Sequence, residues 1–551
     1  MTVATRQFLN VNGRQVHLRR GGSGPAVVLL HATPRSSESL LDLIDSLAGR
    51  NTAIAIDVPG YGLSEPLDEP EIADYAAAVS AALDELGVQR FALYGEGSGA
   101  CVALEVALAG GERCTGVIVK APRVFSAGVT AAEIERHAPP LEPTMDGAHL
   151  IVHWGAVRDE FVFAPWWDRR PENRLELDLP DPEELHTILL ERLRAGSRYA
   201  AGHWAASRYE PQEAIERLGP RAREIGAMTH EQLASALGAL VPDTGEPPPP
   251  AARTPQRAGR QSKMYVDTPF GQTLVRFREE AGGRPVVLLH ASPVSGFTLE
   301  GLVEGFAPHR PVYALDTIAN GESDKPDLTV HPQFEQPSLA DFAPWLIAVF
   351  DALGFDEVDV YGSHTGAMIA LEAAIQAPER FANLVLDGVT MHDEQESEEI
   401  FSGYFADIRP KFQGAHLLTA WTAMQDVTLW HPWFVRDSDH ISDFPVISAR
   451  QVHEHAVEML KRREWHERCY RPVYEYPTAE RLPMLTPRTL IATPPDDYLE
   501  RFSAEGASLA PNARPGTAPR SVTNTELRYA PFVPDAGVAE YYLAFFEGSD
   551  R

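Results

Sequence analysis

A chain of 551 residues is too long for one compact core and suits two domains of ordinary size. With 44% hydrophobic and 23% charged residues it has a globular composition, and a net charge of −30 with no basic stripe argues against nucleic acid or anionic membranes as partners. Three cysteines without paired spacing, Cys101, Cys114 and Cys469, argue against a disulfide framework and a zinc knuckle.

In chain order, residues 1–6 carry no apolar signal core, and no later apolar run approaches the ~18 residues of a membrane helix, so a cytoplasmic location is expected. Val11-Asn12-Gly13-Arg14 is a hairpin signal. The buried-strand run Ala26-Val27-Val28-Leu29-Leu30 leads into His31-Ala32-Thr33-Pro34, and Ile56-Asp57 into Gly60-Tyr61-Gly62-Leu63-Ser64. A helix is expected over Ile72 to Leu86, then a strand from Phe91 to Tyr94. Tyr94-Gly95-Glu96-Gly97-Ser98-Gly99-Ala100 follows as a tight turn opening a helix rich in alanine, valine and leucine.

The whole series then returns, and internal repetition decides the architecture. Val286 to Pro293 matches Val27 to Pro34, and Leu315 to Ser323 matches Ile56 to Ser64. Tyr361-Gly362-Ser363-His364-Thr365-Gly366-Ala367 lies 267 positions after the first tight turn. The same offset relates Gly147-Ala148-His149-Leu150 to Gly414-Ala415-His416-Leu417, and Trp154, Asp159 and Trp166 to Trp421, Asp426 and Trp433. Between the copies, Pro247 to Pro250 and Pro255 mark a stiff proline-rich linker at about residues 242–261. We expect a truncated first domain over 1–241 and a second over 262–551. The second copy opens on the hairpin signal Thr268 to Gly271 and has a helix over Leu339 to Leu353. It ends with a buried strand from Arg488, the pair Asp496-Asp497, a weak strand near Glu526 to Tyr529 and a final helix from Ala536 to Phe546. The first copy lacks these last strands on this reading. Strands alternating with helices predict an α/β fold with a mostly parallel sheet in each copy.

Strand-His-Ala-x-Pro, Gly-x-Ser after the next strand, and the strand–turn–helix together resemble the α/β-hydrolase superfamily. The resemblance covers roughly residues 6–218 and most of 262–551, and implies a helical cap over a pocket at each turn. In that family the turn is G-x-S-x-G with a nucleophilic serine at its apex. Here the apex is Gly97 in the first copy and His364 in the second, with Ser98 and Ser363 one place off on opposite sides. The resemblance places oxyanion donors at the backbone N–H groups of Ala291 and Thr365, with Ala32 and Ser98 as counterparts in the first copy. It places the acid after the seventh strand, where Asp496 and Asp497 stand, and a histidine after the last strand, where Arg528, Tyr529 and Ala530 stand instead. No histidine follows His466, so a serine–histidine–acid triad of ordinary layout is not expected.

A side chain at the apex of such a turn is strained by about 1–3 kcal/mol. Gly97 relieves that strain and His364 retains it. An imidazole there has a reference pKa of ~6.5, suited to general-base attack by water, although it could also accept an acyl group directly or only touch a ligand. His290, Ser363, His416, Trp421 and Trp433 are candidate pocket residues. His416, His431, His453 and His455 could converge on a metal, but His290 is expected to brace its loop and His416 has a packing counterpart in His149, so no metal and no other cofactor is expected. Two functions remain open. One is an enzyme hydrolysing a small apolar ester, lactone or carbon–carbon bond substrate through His364, with the first domain a structural or regulatory half of an intramolecular pseudo-dimer. The other is a catalytically silent binding protein for a small molecule on the same fold.

Overall fold

The computed structural model describes residues 4–122, 124–126, 128–241, 246–250, 252–430, 432–441, 447–495, 497–519 and 536–548. Two compact units emerge, Met1–Glu142 with Ile151–Pro255, and Pro143–Leu150 with Gln256–Arg551. The first holds strands β1 (Thr5–Val11), β2 (Arg14–Gly21), β3 (Ala26–Leu30), β4 (Thr52–Ile56), β5 (Phe91–Glu96), β6 (Cys114–Lys120) and β7 (Ala222–Ile225). Their spatial order is β1-β2-β4-β3-β5-β6-β7. The second holds β8 (Ser262–Thr268), β9 (Gly271–Arg278), β10 (Val286–Leu289), β11 (Val312–Leu315), β12 (Val358–Ser363), β13 (Phe381–Asp387), β14 (Arg488–Thr493) and β15 (Ala513–Thr517). Their order, β8-β9-β11-β10-β12-β13-β14-β15, repeats the first and adds one strand. In each sheet the first two strands are antiparallel and the rest are parallel. Central strands such as β3 and β10 are buried at every residue, as a sheet covered by helices on both faces requires.

Local chemistry explains the details. Asn12 and Gly13 both take positive φ, +49° and +79°, the two-residue turn whose twist matches a hairpin. The helix expected over Leu339 to Leu353 is broken into a short 3₁₀ turn, Leu339–Asp341, and a helix, Ala343–Leu353. Pro344 is the cause, since proline fits only the first turn of a helix. Among the described residues the first copy has one strand fewer than the second, rather than being devoid of its last strands. β7 runs parallel to β6 and is followed by the helix His230–Gly238, whose Leu233, Ala234 and Leu237 complete a core cluster. The sequence hid β7 because Ala-Arg-Glu-Ile is short and only partly buried. It hid β15 because Ala-Arg-Pro-Gly-Thr contains a proline and a glycine that only an edge strand accommodates. The strand expected near Glu526 to Tyr529, with Arg528, Tyr529 and Ala530, lies outside the described residues.

The proline segment is laid against the first unit. Arg20 donates to the carbonyls of Pro248 and Pro249, Thr254 Oγ1 donates to Phe8 O at 2.8 Å, and Asn10 Nδ2 to Pro255 O at 2.8 Å. Conversely, Pro143–Leu150, a piece of the first copy, is part of the second unit. There Trp421 Nε1 donates to Met145 O at 3.2 Å, and His149 Nε2 lies 3.0 Å from His453 Nδ1.

Candidate active site

β5 and β12 lie inside their sheets, and each ends in the same sharp turn. Gly97 has φ +54° and ψ −125°; His364 has φ +46° and ψ −109°, a conformation that strains a residue carrying a Cβ. The flanking glycines are there for closeness of approach. A Cβ on Gly362 would lie 2.5 Å from Gly366 O, and one on Gly366 would lie 2.5 Å from Leu289 O. Gly388, at φ +88°, makes room for the imidazole, since a Cβ there would come 2.8 Å from His364 Cδ2.

His364 Nε2 lies 2.8 Å from Asp497 Oδ2. Asp497 stands in the loop after β14, where its Oδ1 accepts Leu499 N–H at 2.9 Å and caps a short 3₁₀ turn, Tyr498–Phe502. The carboxylate therefore has a fixed direction, and it accepts Nε2–H, leaving Nδ1 as the other ring nitrogen. Burial by itself would lower the pKa of the ring. The charge and hydrogen bond of Asp497, helped by Asp387, outweigh that and push it up to about 9. At neutral pH the ring is thus an imidazolium, not the free base that a reference value of ~6.5 suggests.

Asp387, at the end of β13, was not singled out from the sequence. Its carbonyl accepts His364 N–H at 2.7 Å, and its Oδ2 accepts the hydroxyls of Tyr361 at 2.7 Å and Tyr542 at 2.9 Å. Burial, reinforced by the negative charge of Asp497, pushes it up to about 6 against the pull of those hydroxyls and of His364. The signal available was Asp387-Gly388 at a strand end, where the first copy has Lys120-Ala121.

Above this pair opens a cavity of about 560 Å³, within the usual range for small-molecule sites. Ala291, Thr365, His364 and Asp497 line it together with Trp433, so these five expected site residues converge. The rest of the wall is largely aromatic and aliphatic, including Trp430, Phe434, Met424 and Val473 from the cap. Among the described residues, the hydroxyls of Thr365 and Ser292 in this region make no hydrogen bond to protein.

The other expected pocket residues lie elsewhere. His290 is buried behind the loop; its Nδ1 donates to Ala291 O at 2.7 Å while Nε2 accepts Thr317 N–H at 2.9 Å, so it braces the loop as a neutral ring, lowered by burial to about 4. Ser363 is buried in β12 one residue before the apex, where strand alternation turns it away from the cavity. His416 accepts Lys411 N–H at its own helix start, and Trp421 packs on His149. His455 does line the cavity, His453 meets His149, and Asp496 and His431 lie outside the described residues. Among the described residues, no group of three histidine, cysteine or acidic side chains could hold a metal. None of the described helices is long and apolar enough to cross a membrane.

The first unit has nearly no space at its turn, about 10 Å³. Ser98 Oγ donates to Thr33 Oγ1 at 2.7 Å and accepts Thr33 N–H at 2.8 Å. Gly202 seats its helix directly on this spot: Tyr61 OH accepts its N–H at 2.7 Å, and a Cβ on it would meet Thr33 Oγ1 at 2.3 Å. The loop after β7 reads Gly226-Ala227-Met228-Thr229, without a carboxylate.

This architecture, repeated with a cap over each turn, is that of the α/β hydrolases. The alpha/beta hydrolase fold family model matches residues 25–172 and 284–428, more than half of the sequence, and the chain belongs to that family. It is 31% identical over 134 residues to the dihydrolipoyllysine-residue acetyltransferase component of the acetoin cleaving system of Cupriavidus necator, covering 24% of this chain and 36% of that protein. It is also 31% identical over 120 residues to haloalkane dehalogenase 2 of Mycobacterium bovis, covering 21% of this chain and 41% of that one. The chain thus spans about two fifths of the length of these relatives. A naproxen esterase from Bacillus subtilis superposes with a TM-score of 0.36 at 19% identity, covering 52% of this chain and 92% of the esterase.

Proposed function

We propose that the chain is a hydrolase acting on a small, largely apolar ester, lactone or carbon–carbon bond substrate, with His364 in place of the serine of an ordinary triad. The observation that carries this reading is the 2.8 Å contact from His364 to Asp497 beside an apolar cavity. In this reading Asp497 holds Nε2–H, Nδ1 takes a proton from water as the water attacks, and the N–H groups of Ala291 and Thr365 steady the oxyanion. Because the raised pKa leaves the ring charged at neutral pH, the base form grows in as pH rises through about 9, and so should the rate. The first unit, with its filled turn, serves as a structural or regulatory partner. Serine-directed phosphonates should label neither Ser98, tied to Thr33, nor Ser363, buried in β12.

The same imidazolium favours a second reading, a silent binding protein whose charged ring and nearby hydroxyls hold a small polar group. A panel of short activated esters and lactones, followed from pH 6 to 10 in wild type and His364→Ala, separates the two. Turnover that climbs with pH and needs His364 supports the enzyme; ligand-induced thermal shifts without turnover support the binder.

A further inference from the structure

Arg501 stands in the 3₁₀ turn Tyr498–Phe502 that Asp497 caps. Its guanidinium lies over two rings of that same turn, 4.1 Å from the centre of Tyr498 and 4.3 Å from that of Phe502. Nη2 donates to the Tyr498 hydroxyl and, at 2.9 Å, to Glu396 Oε1. Glu396 belongs to the cap, in the first turn of the helix Glu394–Gly403. Its carboxylate is already fixed by a capping box, Oε2 accepting Asp393 N–H at 3.2 Å while Asp393 Oδ1 accepts Glu396 N–H at 2.9 Å. A partly exposed ion pair contributes little where two free side chains must be ordered, but here both ends are held before they meet. His392, just before the helix, packs against both. Its ring stacks on Tyr498 at 5.9 Å and meets Phe502 edge-on at 5.4 Å, and its Nδ1 lies 3.4 Å from Arg501 Nη2 and 3.5 Å from Glu396 Oε2. Burial holds its pKa below the ordinary value, so at neutral pH it adds no charge to the pair. His392, Glu396 and Tyr498 all line the His364 cavity.

The first unit opens its cap helix Ala131–His137 on a box of the same kind, Thr130 with Glu133. Its loop after β7, Gly226-Ala227-Met228-Thr229, offers neither a carboxylate nor an arginine. A cap helix of this fold thus forms without the grip, and the grip stands in the copy that has an acid to aim.

We propose that Arg501 is a positioning residue for Asp497, clasping the acid-bearing turn to the cap through Glu396, so that the aim of Asp497 at His364 depends on a seated cap. Asp497 takes its direction from Leu499 N–H, inside the clasped turn, so a turn that shifts carries the carboxylate with it. This rests on the enzymatic reading above for the role of Asp497 in turnover alone. The charges that act on His364 are those of Asp497 and Asp387. Loss of Arg501 or Glu396 therefore reaches the His364 titration through Asp497. Any direct effect of removing the Arg501 charge has the opposite sign, since it would raise the pKa of the ring.

The test is an NMR titration of His364 from pH 6 to 10 in the full chain carrying labelled histidine, the resonance assigned by its loss in His364→Gln. Wild type should titrate near pH 9. Arg501→Met and Glu396→Gln should each lower that value by about one unit, and the double variant by no more than either alone, because both cut one clasp. Arg501→Lys, which keeps the charge but not the stacked fork, should fall between. For a responsive ester the two single variants should lower the high-pH plateau of kcat about ten-fold with KM little changed. The proposal is overturned if His364 titrates alike in wild type and the folded single variants, or if their shifts add. Should Arg501→Met melt too low to titrate, Glu396→Gln decides alone. A wild-type ring that titrates near its ordinary value also overturns it, since no carboxylate is then aimed at the ring. Failure of the enzymatic reading looks different: the shifts are intact, with no ester turnover that depends on His364.

Discussion

Gly97 and His364 sit on turns of nearly the same shape, with φ of +54° and +46°, but their surroundings have diverged. Around Gly97 the space is closed by Gly202 and by the Ser98–Thr33 pair, leaving about 10 Å³. Around His364 there is a cavity of about 560 Å³, an acid aimed at the ring, and a glycine at position 388 that leaves room for it. At the place of Gly388 the first unit has Ala121, strained at φ +47° with no ring to accommodate. A turn shared by both copies is thus what the fold needs, and the groups gathered around only the second mark that turn as the candidate site.

The comparison can be broken most directly at the apex. His364→Ala should leave the fold intact and lower kcat/KM for a responsive ester by about 10²- to 10⁴-fold, measured by steady-state kinetics with circular dichroism as control. Asp497→Asn should cost on the order of 10²-fold, and the rise in rate near pH 9 should move to lower pH, because burial then acts on the ring without the carboxylate. Gly388→Ala should destabilise by about 1–3 kcal/mol in denaturant melts and lower turnover, through both its positive φ and the clash with His364 Cδ2.

A smaller effect is stability against pH. His364 has a folded pKa above its unfolded one, so its contribution is full below about 6.5 and is lost as pH rises through about 9. Asp387, raised to about 6, adds stability that is full below about 3.9 and lost as pH rises through about 6. Urea midpoints of wild type should therefore fall between pH 6.5 and 9 more steeply than those of His364→Ala. The smallest effect belongs to the first unit, where Ala121→Gly should change stability by about 1 kcal/mol or less and leave turnover unaltered.

Much of this was legible in the sequence because it depends on short-range patterns. The repeat offset of 267, the all-apolar strands and the Gly-x-x-x-Gly turns located both sheets and both apices. The tyrosines that line the cavity, Tyr404, Tyr470 and Tyr474, were not legible as a group, since Tyr404 meets Tyr470 only when two segments 66 positions apart pack together. The charge state of His364 was not legible either. Its partner lies 133 positions away, and only the folded distance shows that the carboxylate prevails over burial. Trp421 and Trp433 looked equivalent as aromatic cap residues, yet one packs on the segment Pro143–Leu150 and the other faces the cavity. Spacing alone cannot separate a packing face from a lining face when both are apolar.

The measurement that bears most directly on the central claim is the pH–rate profile of ester turnover in wild type beside His364→Ala. A wild-type rate that rises to a plateau above about pH 9, with a folded and inactive variant, is the predicted result. Turnover that persists in His364→Ala, or that peaks well below pH 7 in wild type, would contradict the account.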